Sequence, residues 1–516
     1  MPHGFFDSYD DALFFLHSRI DYERAAAEKM TARDFKLDRM AELLARLGDP
    51  QETIPAVHIT GTKGKGSTAV MAAEMLTAAG YRTGLFTSPH VSAFEERMRV
   101  DGRMPSRGEC TDLLDEVAAE VMQLDVQGPA MRPTYFEIAT AMAWLYFRRC
   151  RCDFVVLEVG LGGRLDSTNL CRPEVTVITN VSRDHMHVLG NTAREIAAEK
   201  AGIIKPHIPV VCGVERPDAA EVIHATARRC ESPLYQSGRD FDAVYRRAED
   251  RTRKAAEPVR RPISDLQPPS SDLQPPSSDL QPPSSDLRPP SSDLRPPTSD
   301  LRPPTVDVTT PFNTFSSLPL ALRGEHQARN AAAAVSAIDV LRNRGFAISD
   351  AAVRAGLANV RWPLRLEVLR RSPIVIADAA HNEASAAALV AALRSEFPAE
   401  RRILIFAASR DKDVEAIAAN LLPAFYTVVA TQFVGNPRSI PPTELAERIG
   451  AAFGGRLLTA ANPLEAYALA LEMSAAGDLI CASGSFYLAA EVRNAVLGMP
   501  LPVGMPASAA VLTPRL

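Results

Sequence analysis

The feature that most constrains the fold is a glycine-rich segment joining a short apolar run to a helix. Residues 57–60 read Val-His-Ile-Thr, and residues 61–67 continue as Gly-Thr-Lys-Gly-Lys-Gly-Ser. Residues 68–76 then have the pattern of a helix, which ends before Gly80. A strand, a glycine loop and a helix N-terminus in this order can cradle phosphate, because backbone N–H groups approach the anion and the helix dipole favours negative charge. A glycine-rich turn without a ligand is the simpler alternative.

Lys65 within this loop is the first candidate phosphate ligand. A lysine at such a position can reach the terminal phosphates of a nucleotide. The spacing differs from the common Walker pattern, since Gly66 separates Lys65 from Ser67. The residues therefore predict a phosphate-binding loop of a less common type.

Length, charge and cysteine content restrict the class of protein. A chain of 516 residues with 46% hydrophobic and 23% charged residues is globular and long enough for two or three domains. A formal net charge of -5 gives no sign of a nucleic-acid surface. Seven scattered cysteines without metal-ligand spacing favour a reducing compartment. The N-terminus lacks signal-peptide features and no apolar run reaches membrane-spanning length, so we expect a cytoplasmic protein without membrane contact. We also expect a monomer.

Polar residues follow several predicted strands of the first half. Near-continuous apolar runs at residues 153–157 and 175–179 predict strands covered on both faces of a parallel sheet, with further strands at residues 81–87 and 208–212. In parallel sheets, ligands bind beyond the carboxyl ends of the strands. The polar groups predicted to meet at that edge are the glycine loop, Ser88, Glu158, Asp184 and His185.

From residue 324 onward, strands and helices alternate again, which predicts a second parallel sheet. The predicted strands are residues 374–377, 403–406, 427–430 and 479–482. We therefore expect an α/β fold of two domains. The first is an N-terminal P-loop-type parallel-sheet domain over residues 1–322. The second is a smaller C-terminal Rossmann-like α/β domain over residues 323–499, followed by a flexible tail over residues 500–516.

A low-complexity insertion occupies residues 264–305. Its unit, Ser-Asp-Leu-Gln-Pro-Pro-Ser, recurs every seven residues, with Arg replacing Gln in later copies. Two prolines per repeat exclude a continuous helix, so a disordered loop is expected rather than a coiled coil. An inert linker is the simpler interpretation, and a docking site for a proline-recognising partner is the alternative.

Nine short motifs extend over most of the chain outside the repeats, and their order and spacing form a specific pattern. They occupy residues 59–68, 87–90, 158–166, 184–186, 199–205, 324–327, 378–382, 411–413 and 484–488. Together they resemble the folylpolyglutamate synthases and dihydrofolate synthases of the Mur-ligase superfamily.

The resemblance implies an ATP-dependent ligase that adds L-glutamate to dihydropteroate or to folates. A substrate carboxylate would take the γ-phosphoryl group of ATP, and the amine of glutamate would displace phosphate from the resulting acyl phosphate. Such phosphoryl transfer depends mainly on positioning and on neutralising negative charge. ATP and Mg²⁺ are the implied cofactors. A cell-wall Mur ligase acting on a nucleotide-sugar peptide and a non-catalytic nucleotide-binding scaffold remain the alternatives.

The resemblance also implies residue roles. Lys65, Lys200 and His185 would be catalytic, with Lys200 carbamylated into an oxygen donor. Magnesium would be held by Ser88, Glu158 and His185. ATP would be held by Gly61, Thr62, Gly64, Lys65, Gly66, Ser67, Asn330, Arg365 and Asp378. The pterin substrate would contact Thr134, Tyr135, Phe136, Leu165 and Asp166.

Several of these residues have simpler interpretations without the family. Lys200, on a helix opened by a Thr192–Glu195 capping box, would be an exposed surface lysine. Tyr135 and Phe136 would be core aromatics, and Asp378 a turn or capping residue. His185 would be a hydrogen-bonding partner.

Three positions differ from the family pattern. Lys63 stands where Asn is usual, and Leu364 and Ala379 stand where Gly is usual. The last two bear on the backbone geometry at the ATP edge of the second domain. His381 matches a family histidine to which no chemistry is assigned.

Overall fold

The computed structural model describes residues 4–22, 36–182, 186–247, 303–434 and 436–499. Four of the sequence predictions lie outside these described residues: Asp184, His185, the repeats at residues 264–302 and the tail at residues 500–516. Among the described residues, no helix combines the length and apolar character needed to cross a bilayer.

The first half of the chain builds a seven-stranded sheet in the order β3-β2-β4-β1-β5-β6-β7. All neighbouring pairs are parallel except β2 and β3. The glycine loop follows β1, which lies between β4 and β5 at the centre of the sheet. The strands are β1 (Ala56–Thr60), β2 (Thr83–Phe86), β3 (Met98–Val100), β4 (Phe154–Glu158), β5 (Pro173–Ile178), β6 (Val210–Cys212) and β7 (Leu234–Gln236).

Helices cover both faces of this sheet, as its buried strands require. The helices are α1 (Tyr9–His17), α2 (Asp38–Arg46), α3 (Lys65–Ala78), α4 (Arg107–Asp125), α5 (Tyr135–Arg149), α6 (Met186–Leu189), α7 (Ala193–Ala201), α8 (Pro217–Arg229), α9 (Glu325–Asn343) and α10 (Asp350–Asn359). One apolar core joins α3, α9 and α10 to one face, and a second joins α1, α2, α4 and α5 to the other. The predicted Thr192–Glu195 capping box is confirmed at the start of α7.

A small antiparallel sheet carries the insertion. Its strands are β8 (Asp242–Arg246), β9 (Thr305–Thr309) and β10 (Thr314–Pro319), in the order β10-β9-β8. Arg246 pairs with Thr305, so the chain leaves β8 and re-enters β9 at the same end of one hairpin. The insertion was predicted to end at residue 305. This boundary is wrong, because Thr305 is the first residue of β9.

The last third of the chain forms a six-stranded sheet in the order β11-β12-β16-β13-β14-β15, parallel except for the β11–β12 pair. The four strands predicted from apolar runs are confirmed as β12, β13, β14 and β16. The strands are β11 (Glu367–Arg371), β12 (Ile374–Ala377), β13 (Arg402–Phe406), β14 (Thr427–Ala430), β15 (Arg456–Thr459) and β16 (Leu479–Ser483). The helices are α11 (Glu383–Glu396), α12 (Val414–Leu421), α13 (Pro442–Gly450), α14 (Pro463–Glu472) and α15 (Phe486–Leu497).

The predicted domain boundary at residue 323 disagrees with the packing. Helices α9 and α10 bury their apolar residues in the core that holds α3, and Val360 is the last residue of that core. Leu364 is buried instead with Ala377 and Ala489 of the second unit. Helices α9 and α10 therefore pack with the first unit, and we propose a boundary at residues 361–363. The sequence prediction missed this because an amphipathic helix does not reveal which neighbour covers its apolar face.

Replacing residues 248–302 by an Asn-Gly turn should leave the protein folded, because the strand ends are already adjacent. Shortening the loop should raise the free energy of unfolding by at most about 2 kcal/mol, at roughly 0.6 kcal/mol per halving of loop length. Thermal unfolding and kcat measure the effect. Deletion of residues 264–305 is the matched control, which should be less stable because it removes Thr305 from β9. A large loss of kcat in the Asn-Gly variant would contradict an inert insertion.

The boundary can be tested with two fragments of the second unit. Residues 361–499 should give a soluble fragment with one cooperative unfolding transition. Residues 323–499 should aggregate, because α9 and α10 would expose apolar faces that the first unit normally covers. Size-exclusion chromatography and circular dichroism distinguish these outcomes, and the reverse behaviour would restore the boundary at residue 323.

Candidate active site

The start of α3 lies in close contact with three distant parts of the chain. Gly64, the N-cap of α3, has φ = +81°, a left-handed conformation that favours glycine. A β-carbon on Gly64 would lie 2.2 Å from Asn330 Oδ1. A β-carbon on Gly66 would lie 3.0 Å from the Trp362 ring and 3.2 Å from Glu158 Oε2. The glycines thus allow α9, residues 361–363 and the end of β4 to approach the phosphate loop.

Residues after β5 hold the outer part of this loop. Thr62 N donates to Asn180 O at 3.0 Å, and Lys63 N donates to Asn180 Oδ1 at 2.9 Å. Thr179 Oγ1 donates to Lys63 O at 2.6 Å. These bonds fix the loop backbone before any ligand binds.

The inner part of the loop presents the N-terminus of α3 to a cleft. Thr68 N donates to Gly64 O at 2.9 Å, which is the first turn of helical hydrogen bonding. The N–H groups of residues 65–67 therefore precede the helical bonds, as at any helix start. Residues 62–67 all line the cleft. The backbone there suits an anion.

Two predicted magnesium ligands lie together beside the loop. Ser88 follows β2 and Glu158 ends β4, and Ser88 N donates to Glu158 Oε2 at 3.1 Å. Glu158 is 5% exposed, and its carboxylate lies beside Gly66. The expectation that these strand ends converge is met for Ser88, Glu158 and the loop.

The third predicted ligand, His185, lies outside the described residues. Within the described ranges, no group of three or more His, Cys, Asp or Glu side chains is arranged to hold a metal ion. The magnesium site accordingly stays a prediction.

Lys200 is 3% exposed on α7. The interpretation as an ordinary surface lysine is therefore wrong, because the helix packs this side into the protein. Burial of a lysine requires compensation for lost hydration.

Four of the five predicted acceptor residues line the cleft: Thr134, Phe136, Leu165 and Asp166. Phe136 packs against Gly160, where a β-carbon would lie 2.6 Å from its ring. Tyr135 is different. Its side chain is 1% exposed in the core, with Arg97 over its ring at 5.2 Å. Direct contact of Tyr135 with a ligand is thus not supported, because α5 turns it away from the cleft. The core interpretation holds for Tyr135, whereas Phe136 both packs against the same core and lines the cleft.

Asp166 is a buried carboxylate with several donors around it. Its Oδ1 accepts from Thr168 N at 3.0 Å and from Thr168 Oγ1 at 2.6 Å, and its Oδ2 accepts from Leu161 N at 3.0 Å. Burial raises the pKa of Asp166, and these hydrogen bonds oppose the rise. Asp166 therefore holds the 160–168 loop and also faces the cleft.

The second unit contributes Arg365 and Asp378 to the same cleft. Asp378 accepts from Leu366 N and Ala380 N, each at 2.9 Å. Burial raises the pKa of Asp378, while the charge of Arg365 and the two backbone donors act in the opposite direction. Burial, with the charges of Arg365 and Arg329, also lowers the pKa of His326 in this cleft to about 4, so His326 is neutral at pH 7.

Leu364 and Ala379, which stand where the family usually has glycine, differ in backbone conformation. Leu364 has φ = +59°, so the backbone keeps the left-handed geometry that glycine would adopt. That conformation costs about 1–2 kcal/mol for a residue with a β-carbon, but Leu364 is 1% exposed, and burying a leucine contributes about 1.5–3 kcal/mol. Ala379 has no positive φ and donates its N–H to Leu364 O at 3.0 Å. The backbone at this edge is therefore intact.

Lys63 makes a contact between the two units. Its Nζ lies 3.2 Å from His381 Nε2. His381 Nδ1 lies 2.8 Å from Ala379 O, and since a carbonyl only accepts, Nδ1 carries the proton. Nε2 then accepts from the lysine ammonium. Nothing in the sequence signalled this pair, because 318 residues separate its members.

The cleft between the two units measures about 810 Å³. Ten lysine and arginine side chains and seven carboxylates line it among the described residues, although the whole chain has a formal charge of -5. Several residues that line the cleft were missed by the sequence analysis because they belong to no local motif. They are Lys36, Arg39, Arg99, Arg329, Trp362 and Arg438. The cleft suits a large anionic ligand.

Comparisons with known proteins agree with this geometry. The Mur ligase middle domain matches residues 59–255, and the Mur ligase glutamate ligase domain matches residues 364–486. The second match begins directly after the boundary proposed at residues 361–363. The dihydrofolate synthase/folylpolyglutamate synthase of Bacillus subtilis is 32% identical over 95% of this chain and 99% of its own length.

Solved structures show the same relationship. The Mycobacterium tuberculosis folylpolyglutamate synthase complexed with ADP has a TM-score of 0.77 at 31% identity, covering 95% of this chain and 98% of its own. The Escherichia coli FolC structure in complex with DHPP and ADP has a TM-score of 0.73 at 25% identity, covering 95% and 98%. The chain therefore belongs to the folylpolyglutamate synthase/dihydrofolate synthase family of the Mur ligases, which are ATP-dependent ligases.

Proposed function

We propose that this enzyme joins L-glutamate to a pterin-containing acid, using ATP to activate the acid as an acyl phosphate. One observation carries the proposal. A single cleft is lined by the phosphate loop, by Glu158 and Asp166 of the first unit, and by Asp378 and His381 of the second. Nucleotide, acceptor and amino acid would meet there. The acceptors named for relatives, and the ADP bound in their structures, support the same assignment.

The nucleotide side of the proposal rests on charge and backbone donors. Lys65 and the N–H groups at the start of α3 would neutralise the ATP phosphates. Arg365 would add positive charge from the second unit, and Asn330 would contact the nucleotide beside Gly64. Asp378 would accept from the nucleotide's hydroxyl groups, while its two backbone bonds keep the carboxylate in place.

Glu158 and Ser88 fit a magnesium ion by the chemistry of their donors. A buried carboxylate and a hydroxyl are hard oxygen ligands, which Mg²⁺ prefers. His185 would complete the set. Magnesium would neutralise charge on the phosphoryl group being transferred.

The acceptor would lie between Phe136 and Leu165, with Thr134 and Asp166 as its polar contacts. The flat ring of Phe136 suits an aromatic pterin, and Asp166 offers a fixed hydrogen-bond acceptor for it. Lys200 is proposed to be carbamylated. That reaction would turn a buried ammonium into an oxygen donor. The low exposure of Lys200 supports this proposal, because a lysine that only interacts with water would be exposed.

Lys65→Ala should lower kcat for ligation by roughly 10²–10³-fold, because it removes a charge stabilising the transferred phosphoryl group. Phosphate release measures this rate. Lys63→Asn is the matched control: it lies two residues away in the same loop and should change kcat much less. Ligation that survives Lys65→Ala unchanged would show that the loop assignment is wrong.

Phosphate release by the purified enzyme should require ATP, L-glutamate and a pterin acid together. Dihydropteroate and tetrahydrofolate, tested separately, distinguish dihydrofolate synthesis from polyglutamate extension. A UDP-sugar peptide serves as the control acceptor and should give no glutamate-dependent release. Activity with that acceptor alone would favour the cell-wall ligase, and nucleotide binding without turnover would favour the scaffold.

A further inference from the structure

The strand that leads into the phosphate loop also contacts the acceptor loop. Successive side chains of a strand point to opposite faces. Val57 and Ile59 are buried in the core with α3 and α9. His58 and Thr60 face the other side, where Thr60 Oγ1 donates to Gly162 O at 2.6 Å. The second face of β1 is therefore polar, and it holds the 160–168 loop.

His58 is the other polar contact of this face. Its Nε2 lies 2.9 Å from Thr168 Oγ1. Thr168 Oγ1 in turn donates to Asp166 Oδ1 at 2.6 Å. A hydroxyl has one proton, and Thr168 uses it on Asp166, so His58 Nε2–H must donate to Thr168. The result is a directed chain from His58 through Thr168 to the Asp166 carboxylate.

This direction requires a neutral imidazole with its proton on Nε2. His58 Nδ1 is then an unprotonated nitrogen, and it has no hydrogen-bond partner among the described residues. Burial, together with the charge of Lys205, lowers the pKa of His58 to about 3. Lys205 Nζ donates to Asn169 O at 2.8 Å, which keeps this cation near the imidazole. The His58 imidazole is thus uncharged near pH 7.

We propose that His58 is a positioning residue for the acceptor, which orients Asp166 through Thr168 and so sets the affinity for the pterin acid rather than for ATP. This inference rests on the proposed function, in which Asp166 contacts the acceptor. A core histidine that only fills space is the competing interpretation. An unpaired buried nitrogen is unfavourable, and an apolar side chain would avoid it. The hydrogen bond that Nε2–H donates to Thr168 is one that an apolar side chain could not make.

The decisive comparison is His58→Gln against His58→Met. The two side chains have nearly the same shape, but only Gln keeps an N–H donor near the position of Nε2. His58→Met should raise the KM for the pterin acid about tenfold, equivalent to about 1.4 kcal/mol, with the KM for ATP and kcat within about twofold of wild type. His58→Gln should restore most of the acceptor affinity. Equal losses in both variants at equal thermal stability would overturn the proposal, as would an equal rise in the KM for ATP.

Thr168 provides a second test that leaves His58 in place. Thr168→Val removes the hydroxyl and should reproduce the rise in acceptor KM, whereas Thr168→Ser should not. The double variant His58→Met/Thr168→Val should be no worse than Thr168→Val alone, because His58 acts through Thr168. Multiplying effects would show that His58 acts by another route. The Thr168 pair decides the matter if the His58 variants fail to fold.

A spectroscopic measurement separates this inference from the proposed function. In the ¹⁵N-histidine-labelled wild-type protein, the His58 imidazole should show the neutral Nε2–H form from pH 5 to pH 8. A titrating signal or an Nδ1–H form would overturn the directed chain, whatever the enzyme's activity. Absence of turnover with every pterin acid would instead overturn the proposed function, and with it the kinetic claim for His58.

Discussion

The architecture depends on the absence of side chains at the first turn of α3. Gly64 takes a left-handed conformation against Asn330, and Gly66 lies between Trp362 and Glu158. A side chain at either position would displace at least one of these neighbours. Those neighbours come from α9, residues 361–363 and β4, so three parts of the chain meet closely at two positions that lack a β-carbon.

Charge in the cleft follows from this convergence. The whole chain is mildly acidic, yet lysines and arginines outnumber carboxylates among the described residues that line the cleft. The carboxylates present are held by local donors: Asp166 by Thr168 and Leu161, and Asp378 by two backbone N–H groups. Clefts with an excess of one sign of charge raise the local concentration of an oppositely charged ligand. Composition over the entire chain therefore says little about the sign of the site.

Strand β1 contacts both loops of the first unit's site, the phosphate loop and the 160–168 loop. Its end runs into the phosphate loop, while His58 and Thr60 on one face hold the 160–168 loop. A single strand therefore contacts both loops. Lys63 plays a comparable part between the units, since its contact with His381 joins the phosphate loop to the second sheet.

Much of the fold was predictable because its signals are local. Apolar runs of four to six residues identified the central strands. The rule that ligands bind at the carboxyl ends of parallel strands predicted that Ser88 and Glu158 lie close together. Other features were not predictable from local pattern. Tyr135 and Phe136 are neighbours with the same chemistry, yet the orientation of α5 places one in the core and the other in the cleft. Lys200 has the sequence of a surface lysine and is buried.

The sequence by itself determined the central strands of the two parallel sheets, the position of the phosphate loop and the family pattern of motifs, because these depend on residue type and short-range spacing. The tertiary structure alone decided the packing of α9 and α10 against the first unit, the Lys63–His381 pair and the chain from His58 to Asp166. Each of these depends on which surfaces meet, and residues more than one hundred positions apart carry no mutual signal in a single sequence. The left-handed Leu364 belongs with them, since only burial in the second unit offsets its backbone cost.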